Sequence, residues 1–403
     1  MASSAANTNR PLRVLCCSGS LEGGGSERQL WQLASQLDRK RFTPGVYLLY
    51  RRGHYIEQLP KDVSVTGFWS EFDESQRYWP GQIRRMQIRH LAKVIREQRI
   101  DVVYDRTFHM TLVTAAAASR AGVPRVSVIV SPPSADFQKS RERFRFFKKR
   151  LLTSAYRRPG CVTIAVSEEV ADDAAAFYVL ARSQIQVLPN PVDFEAVRAA
   201  ATVPTTEIQK APVERGVRIV VVGRLSHEKG QRLALEALKC ANMQRADPIY
   251  LDIVGDGPDR AELEQLASQL GIREQVTFHG FLSNPYPMIR DSRLLCIPSE
   301  HEGLPNVVLE AMALGTAVVA TDCSGSLRTL IGNNERGILV PPGDARSLAL
   351  EFAREGDAAT ESSQRRKLAS DWVEKHHAMA NWLGEMQSLL IRSETDWQRS
   401  GGE

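Results

Sequence analysis

Arg218-Ile219-Val220-Val221-Val222-Gly223-Arg224-Leu225-Ser226-His227-Glu228-Lys229-Gly230 reads as a strand that ends in a polar, glycine-bounded loop, and a helical period resumes over Gln231–Ala241. The apolar residues of the strand run on without alternating with polar ones. A strand of that kind is buried on both faces, as in a parallel sheet covered by helices. The loop then leaves the carboxyl end of the strand, which is where such sheets bind ligands. Arg224 and Lys229 bring a planar fork of donors and a point charge to that place, chemistry suited to a diphosphate. Taken alone, the same loop would also serve as a solvated surface turn.

Working outward, the strand–loop–helix alternation repeats in both directions. Downstream, apolar runs stand at Ile249–Val254, Val276–His279, Leu294–Ile297, Ala317–Ala320 and Ile338–Val340, with helical segments near Arg260–Leu270 and Val307–Ala313. Upstream they stand at Leu12–Cys17, Gly45–Leu49, Val102–Tyr104, Val126–Val130, Val162–Val166 and Ile185–Leu188. Between the series, Pro189 to about Arg215 is rich in Pro, Thr and Ala and reads as a linker. The expectation is an α/β chain of two Rossmann-like, doubly wound lobes with parallel sheets. The lobes are expected over 1–190 and 191–377, with a helix at about 378–392 packing back on the first lobe and a polar tail over 393–403.

At 403 residues, 43% apolar and 25% charged, the chain suits two soluble globular domains. No apolar run reaches the roughly 18 residues of a membrane span, and the first residues lack a signal-peptide core. The expected location is therefore the cytoplasm. The six cysteines have no Cys-x-x-Cys pair and no histidine at zinc-ligand spacing, so they read as reduced thiols and no metal site is expected. Residues 1–190 carry 29 basic and 17 acidic side chains, so that half is net positive while the remainder is net negative. A basic half points to an anionic partner.

A second chemistry-bearing stretch is Glu302-Gly303-Leu304-Pro305-Asn306-Val307-Val308-Leu309-Glu310, which follows the strand Leu294–Ile297 and opens a helix. Glu302 falls in the loop and Glu310 about a turn inside the helix, so the two can reach opposite ends of one ligand. Between them the amides of Gly303 and Leu304, backed by the helix N-terminus, suit phosphate oxygens. Two ordinary glutamates at a helix start are the plain alternative.

Together with Gly23-Gly24-Gly25-Ser26-Glu27-Arg28, Ala165-Val166-Ser167, Leu188-Pro189-Asn190-Pro191-Val192-Asp193, Val254-Gly255-Asp256-Gly257-Pro258 and His279-Gly280-Phe281, these segments resemble the retaining glycosyltransferases of family 4. Those enzymes have the two-lobed GT-B fold with a cleft between the lobes. The resemblance implies a hexosyltransferase that uses a nucleotide-sugar donor, a UDP-sugar by preference, and a glycan or lipid-linked acceptor in envelope polysaccharide or glycolipid synthesis. It implies that Arg224 and Lys229 hold the donor diphosphate, that Glu302 binds the transferred sugar and that Glu310 binds the ribose. Gly255, Phe281, Leu282, Gly303, Leu304 and Asn306 complete the implied donor site, with Phe281 and Leu282 framing the base. Gly24 and Gly25 of the first lobe would let the backbone approach the phosphates. The implied chemistry is a front-face displacement without a cofactor or metal.

Many family members carry a histidine at the end of the strand corresponding to Val126–Val130, where this chain has Val130-Ser131-Pro132-Pro133. Arg106 and His109, after the preceding strand, are the candidates for its place. The segment Lys139–Leu152 holds seven basic residues, one acid and an aromatic-aliphatic stripe, the pattern of a helix lying on anionic lipid. Peripheral contact with the inner face of an anionic membrane is therefore expected. The same pattern would also arise from a helix that packs its apolar face and solvates its charges.

Other classes fit less well. Gly19-Ser20-Leu21-Glu22-Gly23-Gly24 is not the G-x-G-x-x-G of dinucleotide enzymes. No zinc spacing or recognised motif supports a nucleic-acid partner. An inactive relative serving as a partner subunit remains the alternative, though it would be expected to lack one of Arg224, Lys229, Glu302 and Glu310.

Overall fold

The structure, a computed structural model, describes residues 10–402 apart from 73, 75–77, 80, 140–144, 205–215, 244–246 and 358–359. It divides into two compact units, Met1–Pro189 with Ala380–Glu403, and Asn190–Met379. Each is a parallel sheet with helices, as the continuous apolar runs require.

The first unit holds β1 (Leu12–Ser18), β2 (Phe42–Leu48), β3 (Ser64–Gly67), β4 (Val102–Arg106), β5 (Arg125–Ile129), β6 (Cys161–Ala165) and β7 (Ile185–Val187), in the order β3-β2-β1-β4-β5-β6-β7. The second holds β8 (Val217–Val222), β9 (Ile249–Val254), β10 (Val276–Gly280), β11 (Leu294–Ile297), β12 (Ala317–Thr321) and β13 (Ile338–Val340), in the order β10-β9-β8-β11-β12-β13. In both sheets the strand order reverses once, between β1 and β4 and between β8 and β11. Loops leaving the carboxyl ends of the strands at such a reversal diverge and leave room for a ligand.

Strand β8 shows why the uninterrupted apolar run was informative. Ile219 and Val221 join an apolar cluster with helices Gln231–Asn242 and Arg260–Gln269, whereas Val220 joins another with Asn306–Ala313 and Gly325–Ile331. Alternate side chains thus feed two cores, one on each face of the sheet.

Three expectations are corrected. The linker read over Pro189 to about Arg215 contains a helix, Phe194–Thr202, capped by Asp193, whose carboxylate accepts from Ala196 N at 3.0 Å; residues 205–215 lie outside the described residues. The polar tail expected from 393 is instead helix through Arg399. That helix, Met379–Arg399, buries Trp382, Met386, Leu389 and Leu390, and the indole of Trp397 donates to Gly122 O at 3.0 Å. Lastly, the edge strand β3 had no counterpart in the sequence reading. It is four residues long and largely unburied, so it lacks an apolar run.

The chain enters the second unit at Asn190 and leaves it at Met379, and these two segments are pinned together. His377 Nδ1 lies 2.7 Å from Asn190 O, Val192 N donates to His377 O at 2.7 Å, and Met379 N donates to Val192 O at 3.1 Å. Burial, reinforced by the neighbouring His376, holds His377 below its ordinary pKa of 6.5, against the hydrogen bond to Asn190 that raises it. Protonation therefore favours the unfolded chain. The stabilisation is complete above about pH 6.5 and is lost as pH falls through the folded-state value. The second unit is expected to melt at lower temperature at pH 5.5 than at pH 7.5, and His377→Asn is expected to flatten that difference. An equal drop in the variant, followed by thermal unfolding, would assign the pH dependence elsewhere.

Candidate functional site

In the second unit the loops after β8 and β11 flank the reversal of strand order and are joined at several points. Glu300 N donates to Glu228 O at 2.9 Å. Gly230, at φ +66°, lies so close that a Cβ there would fall 2.0 Å from Pro298 O, so no other residue fits without moving the backbone. Across the joint, Lys229 Nζ donates to both oxygens of Glu302, at 2.8 and 2.9 Å, and Ser299 Oγ donates to Glu302 Oε1 at 2.7 Å. Thr321, on the last residue of β12, bonds in turn to Ser299 O.

This arrangement distributes charge unevenly. Lys229 and Glu302 neutralise each other, but the ammonium keeps one of its three donors and the carboxylate some acceptor capacity. Arg224 is exposed and, among the described residues, has no ion pair or side-chain hydrogen bond. It is therefore the cation available to an incoming anion. Its loop is held by Gly223 N donating to Val254 O and Leu225 N donating to Asp256 O, at 2.9 and 3.0 Å, while Gln231 Nε2 donates to Arg224 O at 2.9 Å.

Gly255 supports the same loop from β9. At φ +132° it sits where a Cβ would come within 2.0 Å of Gly223 O, so its fixed role is close backbone packing. At β11, the amides of Gly303 and Leu304 make no hydrogen bond among the described residues. They precede helix Asn306–Ala313, whose first turn has no acid. Free amides at a positive helix end suit an anion. Glu310 follows about one turn inside the helix and is only 4% exposed.

Two of the expected donor residues are otherwise engaged. The Asn306 carbonyl oxygen accepts from Asn190 Nδ2 at 2.8 Å, so this side chain holds the Asn190 segment. Leu282 packs in the core and is 5% exposed, whereas Phe281 is 55% exposed; of this pair only the Phe281 ring faces solvent. Ser299 had not been read from the sequence, while Asn190 stood in the Leu188–Asp193 segment without a role of its own and Cys323 only among the six reduced thiols. Burial pushes the Cys323 thiol up to about 11 with Glu302 nearby, so it stays protonated at neutral pH. Ser299 could have been found, since a serine three residues before a glutamate in a loop is a local hydrogen-bonding pattern.

The other candidates lie in the first unit, again beside its reversal of strand order. Gly24 (φ −68°) begins helix Gly25–Gln36, and a Cβ on it would meet only Glu27 at ordinary contact distance. Nothing within the fold demands a glycine there. However, the Glu27 carboxylate accepts from Gly23 N and Gly24 N at 2.7 and 3.0 Å and from Ser20 Oγ at 2.7 Å. The amide of Gly24 is thereby taken, and close backbone approach rather than donation is what the loop offers. After β4, Arg106 is 4% exposed and its guanidinium donates to Tyr104 OH at 3.2 Å. His109 is exposed in the first turn of helix Phe108–Ala121, its ring 4.2 Å from that of Phe108. Of the two substitutes for the absent histidine, only His109 presents its ring to solvent.

The family profile described as Glycosyltransferase Family 4 matches residues 23–196, and that described as Glycosyl transferases group 1 matches 204–365. The chain is 31% identical over 248 residues to the 2-deoxystreptamine glucosyltransferase of Streptomyces kanamyceticus, spanning 59% of this chain and 62% of that protein. Over 331 residues it is 25% identical to the GalNAc-alpha-(1->4)-GalNAc-alpha-(1->3)-diNAcBac-PP-undecaprenol alpha-1,4-N-acetyl-D-galactosaminyltransferase of Campylobacter jejuni, covering 82% and 85% of the two chains. The structure of Anabaena HepE in complex with UDP-glucose superposes with a TM-score of 0.78 at 21% identity, covering 94% of this chain and 99% of that one. That likeness concerns the fold, a GT-B pair of Rossmann-like units. Matched in both units by the profiles of one group, the chain belongs to the family 4 glycosyltransferases.

Proposed function

We propose that the chain transfers a hexose-type sugar from a UDP-sugar to a glycan or lipid-linked acceptor, with retention of anomeric configuration. The observation that carries this reading is the pairing of an unneutralised Arg224 with the free amides of Gly303 and Leu304 on a jointed pair of loops. Donor diphosphate is gripped by Arg224, by those amides and by the remaining donor of Lys229. Glu302, oriented by Lys229 and Ser299, accepts hydrogen bonds from hydroxyls of the transferred sugar, and Glu310 accepts from the ribose. Phe281 lies against the base. The complexes of HepE with UDP and UDP-glucose support the choice of nucleotide.

In the reaction the bond from the anomeric carbon to the diphosphate oxygen breaks with the electron pair going to that oxygen. The acceptor hydroxyl attacks from the same face and yields its proton to the departing phosphate. Arg224 and Lys229 stabilise the charge that develops on the leaving group, so side-chain cations supply what a metal supplies elsewhere. Transfer is accordingly expected to persist in excess chelator.

Thermal stabilisation by UDP-, GDP- and ADP-sugars tests the donor site, because a ligand at about a hundred times its Kd adds roughly 2.7 kcal/mol to the folded state. Only the UDP-sugars are expected to raise the melting temperature, and Arg224→Ala and Glu310→Ala are each expected to abolish the shift. No shift with any sugar nucleotide would favour an inactive partner subunit.

The acceptor side is proposed to work at an anionic membrane. Helix Arg145–Tyr156 exposes Phe146 and Phe147 at 75% and 64%, beside the exposed Arg145 and Arg150. Residues 140–144 of the basic segment lie outside the described residues. On the same helix Lys148 and Lys149 cover the rings of Phe108 and Phe177, at 4.4 and 4.0 Å, so part of the positive charge is spent on packing.

A further inference from the structure

A cavity of about 580 Å³ in the first unit is lined by Arg84, Arg85, Arg120 and Arg158 together with Gly81 and Ser119. None of these residues belongs to the donor loops. Arg84 and Arg85 come from the first turn of helix Gln82–Glu97, Arg120 from the last turn of helix Phe108–Ala121, and Arg158 from the turn before β6. Four guanidinium groups around one cavity would ordinarily be interleaved with carboxylates. Here no acidic residue lines the space, and among the described residues none of the four arginines has a carboxylate within ion-pair distance.

Among the described residues their side-chain hydrogen bonds run to backbone carbonyls: Arg84 Nη2 donates to Leu112 O at 3.3 Å and Arg158 Nη1 to Ala115 O at 3.0 Å. Each of these carbonyls takes one donor and leaves most of the fork unused, and Arg84 Nε is buried without a hydrogen-bond partner. The helix Gln82–Glu97 points the same way. Gly81 caps it at φ +78° with no side-chain cap, and its first turn contains no acid. The positive helix end therefore adds to the arginines.

Electrostatics agrees with the geometry. Burial and then the nearby Arg158 and Arg120 hold the Arg84 guanidinium below its ordinary value, and burial with Arg125 and Arg120 does the same for Arg158. The folded state thus bears mutual repulsion that an anion would relieve.

We propose that this cavity is a binding site for a phosphate-bearing ligand, separate from the nucleotide-sugar site. Planar forks suit the bidentate recognition of phosphate oxygens, and a volume of this size admits a phosphorylated glycan or a phospholipid headgroup as readily as a free pyrophosphate. The shared chemistry is the phosphate group, and the source is decided by experiment.

Inorganic pyrophosphate is titrated calorimetrically at low ionic strength into the full chain carrying Arg224→Ala, which weakens binding at the other site. Adding Arg85→Gln and Arg120→Gln, both at exposed positions, is expected to lower pyrophosphate affinity tenfold or more, since each change removes charge-assisted donors from the phosphate oxygens. In phosphate-free buffer the same two changes are expected to leave the melting temperature unchanged or to raise it, because like charges are removed; this keeps loss of binding distinct from loss of fold. In parallel, vesicles of phosphatidylglycerol and phosphatidylcholine are floated with both proteins. Flotation weakened by Arg85→Gln and Arg120→Gln identifies a lipid headgroup, and flotation unchanged with pyrophosphate affinity lost identifies a soluble phosphate compound. Pyrophosphate affinity and flotation both unchanged by the two substitutions would overturn the proposal.

Discussion

Lys229→Met is expected to lower the rate of sugar transfer by about 10²–10³-fold, the usual cost of removing one donor aimed at developing charge. Two effects add. On the proposed chemistry the leaving diphosphate loses a cation, and Glu302, 10% exposed on its side chain, loses the partner that bonds both its oxygens. What remains is a carboxylate held by Ser299 alone beside a group that becomes more negative as the bond breaks. Steady-state rates with saturating donor measure the effect, and the double variant Lys229→Met/Glu302→Gln separates its parts. If the double variant regains the native rate, Lys229 serves only to neutralise Glu302 and has no part in leaving-group departure. A rate that stays at least a hundredfold down is the expected result.

Asp105→Ala is expected to destabilise the first unit by about 3–5 kcal/mol, the cost of stranding a buried charge. Asp105 is fully buried at the end of β4 and Arg125, at the start of β5, is 3% exposed. The aspartate accepts from Thr111 Oγ1 at 2.8 Å, Ser127 Oγ at 2.7 Å, Thr114 Oγ1 at 2.8 Å and Arg125 Nη1 at 3.1 Å. Removing it leaves two threonines, a serine and a guanidinium without their shared acceptor. The expected fall in melting temperature is about 10 °C, since a domain near 200 residues shifts by roughly 2–4 °C per kcal/mol. Thermal unfolding by circular dichroism checks it, with Asp105→Leu/Arg125→Met expected to recover much of the loss because both charges go together. A loss below about 1 kcal/mol in Asp105→Ala would mean the network contributes little.

The candidate donor site was legible from sequence in its residue types and less so in its connections. Arg224, Lys229, Glu302 and Glu310 stand out because charged residues break apolar periodicity directly after strand-like runs. Leu282 and Asn306 were read as ligand-facing from position in a motif, yet one packs in the core and the other bonds to Asn190. Motif position gives the approximate place of a residue and leaves its side-chain direction to packing. The helix Phe194–Thr202 was hidden because its Ala- and Thr-rich composition sits between prolines, although Asp193 at its cap was a readable signal. Both the length of the last helix and the Trp397 bond to Gly122 depend on a docking surface more than two hundred residues away.

The sequence by itself determined two parallel α/β units and the loops that carry charge, because side-chain periodicity is local and continuous apolar runs can be buried only between two helical layers. The tertiary structure alone decided which charges stay available. The pairing of Lys229 with Glu302 spans 73 residues and exists because β8 and β11, distant in the chain, are neighbours at the reversal of the sheet. The arginine cavity likewise gathers side chains from three segments whose adjacency follows from helix packing, and no single stretch of sequence records it.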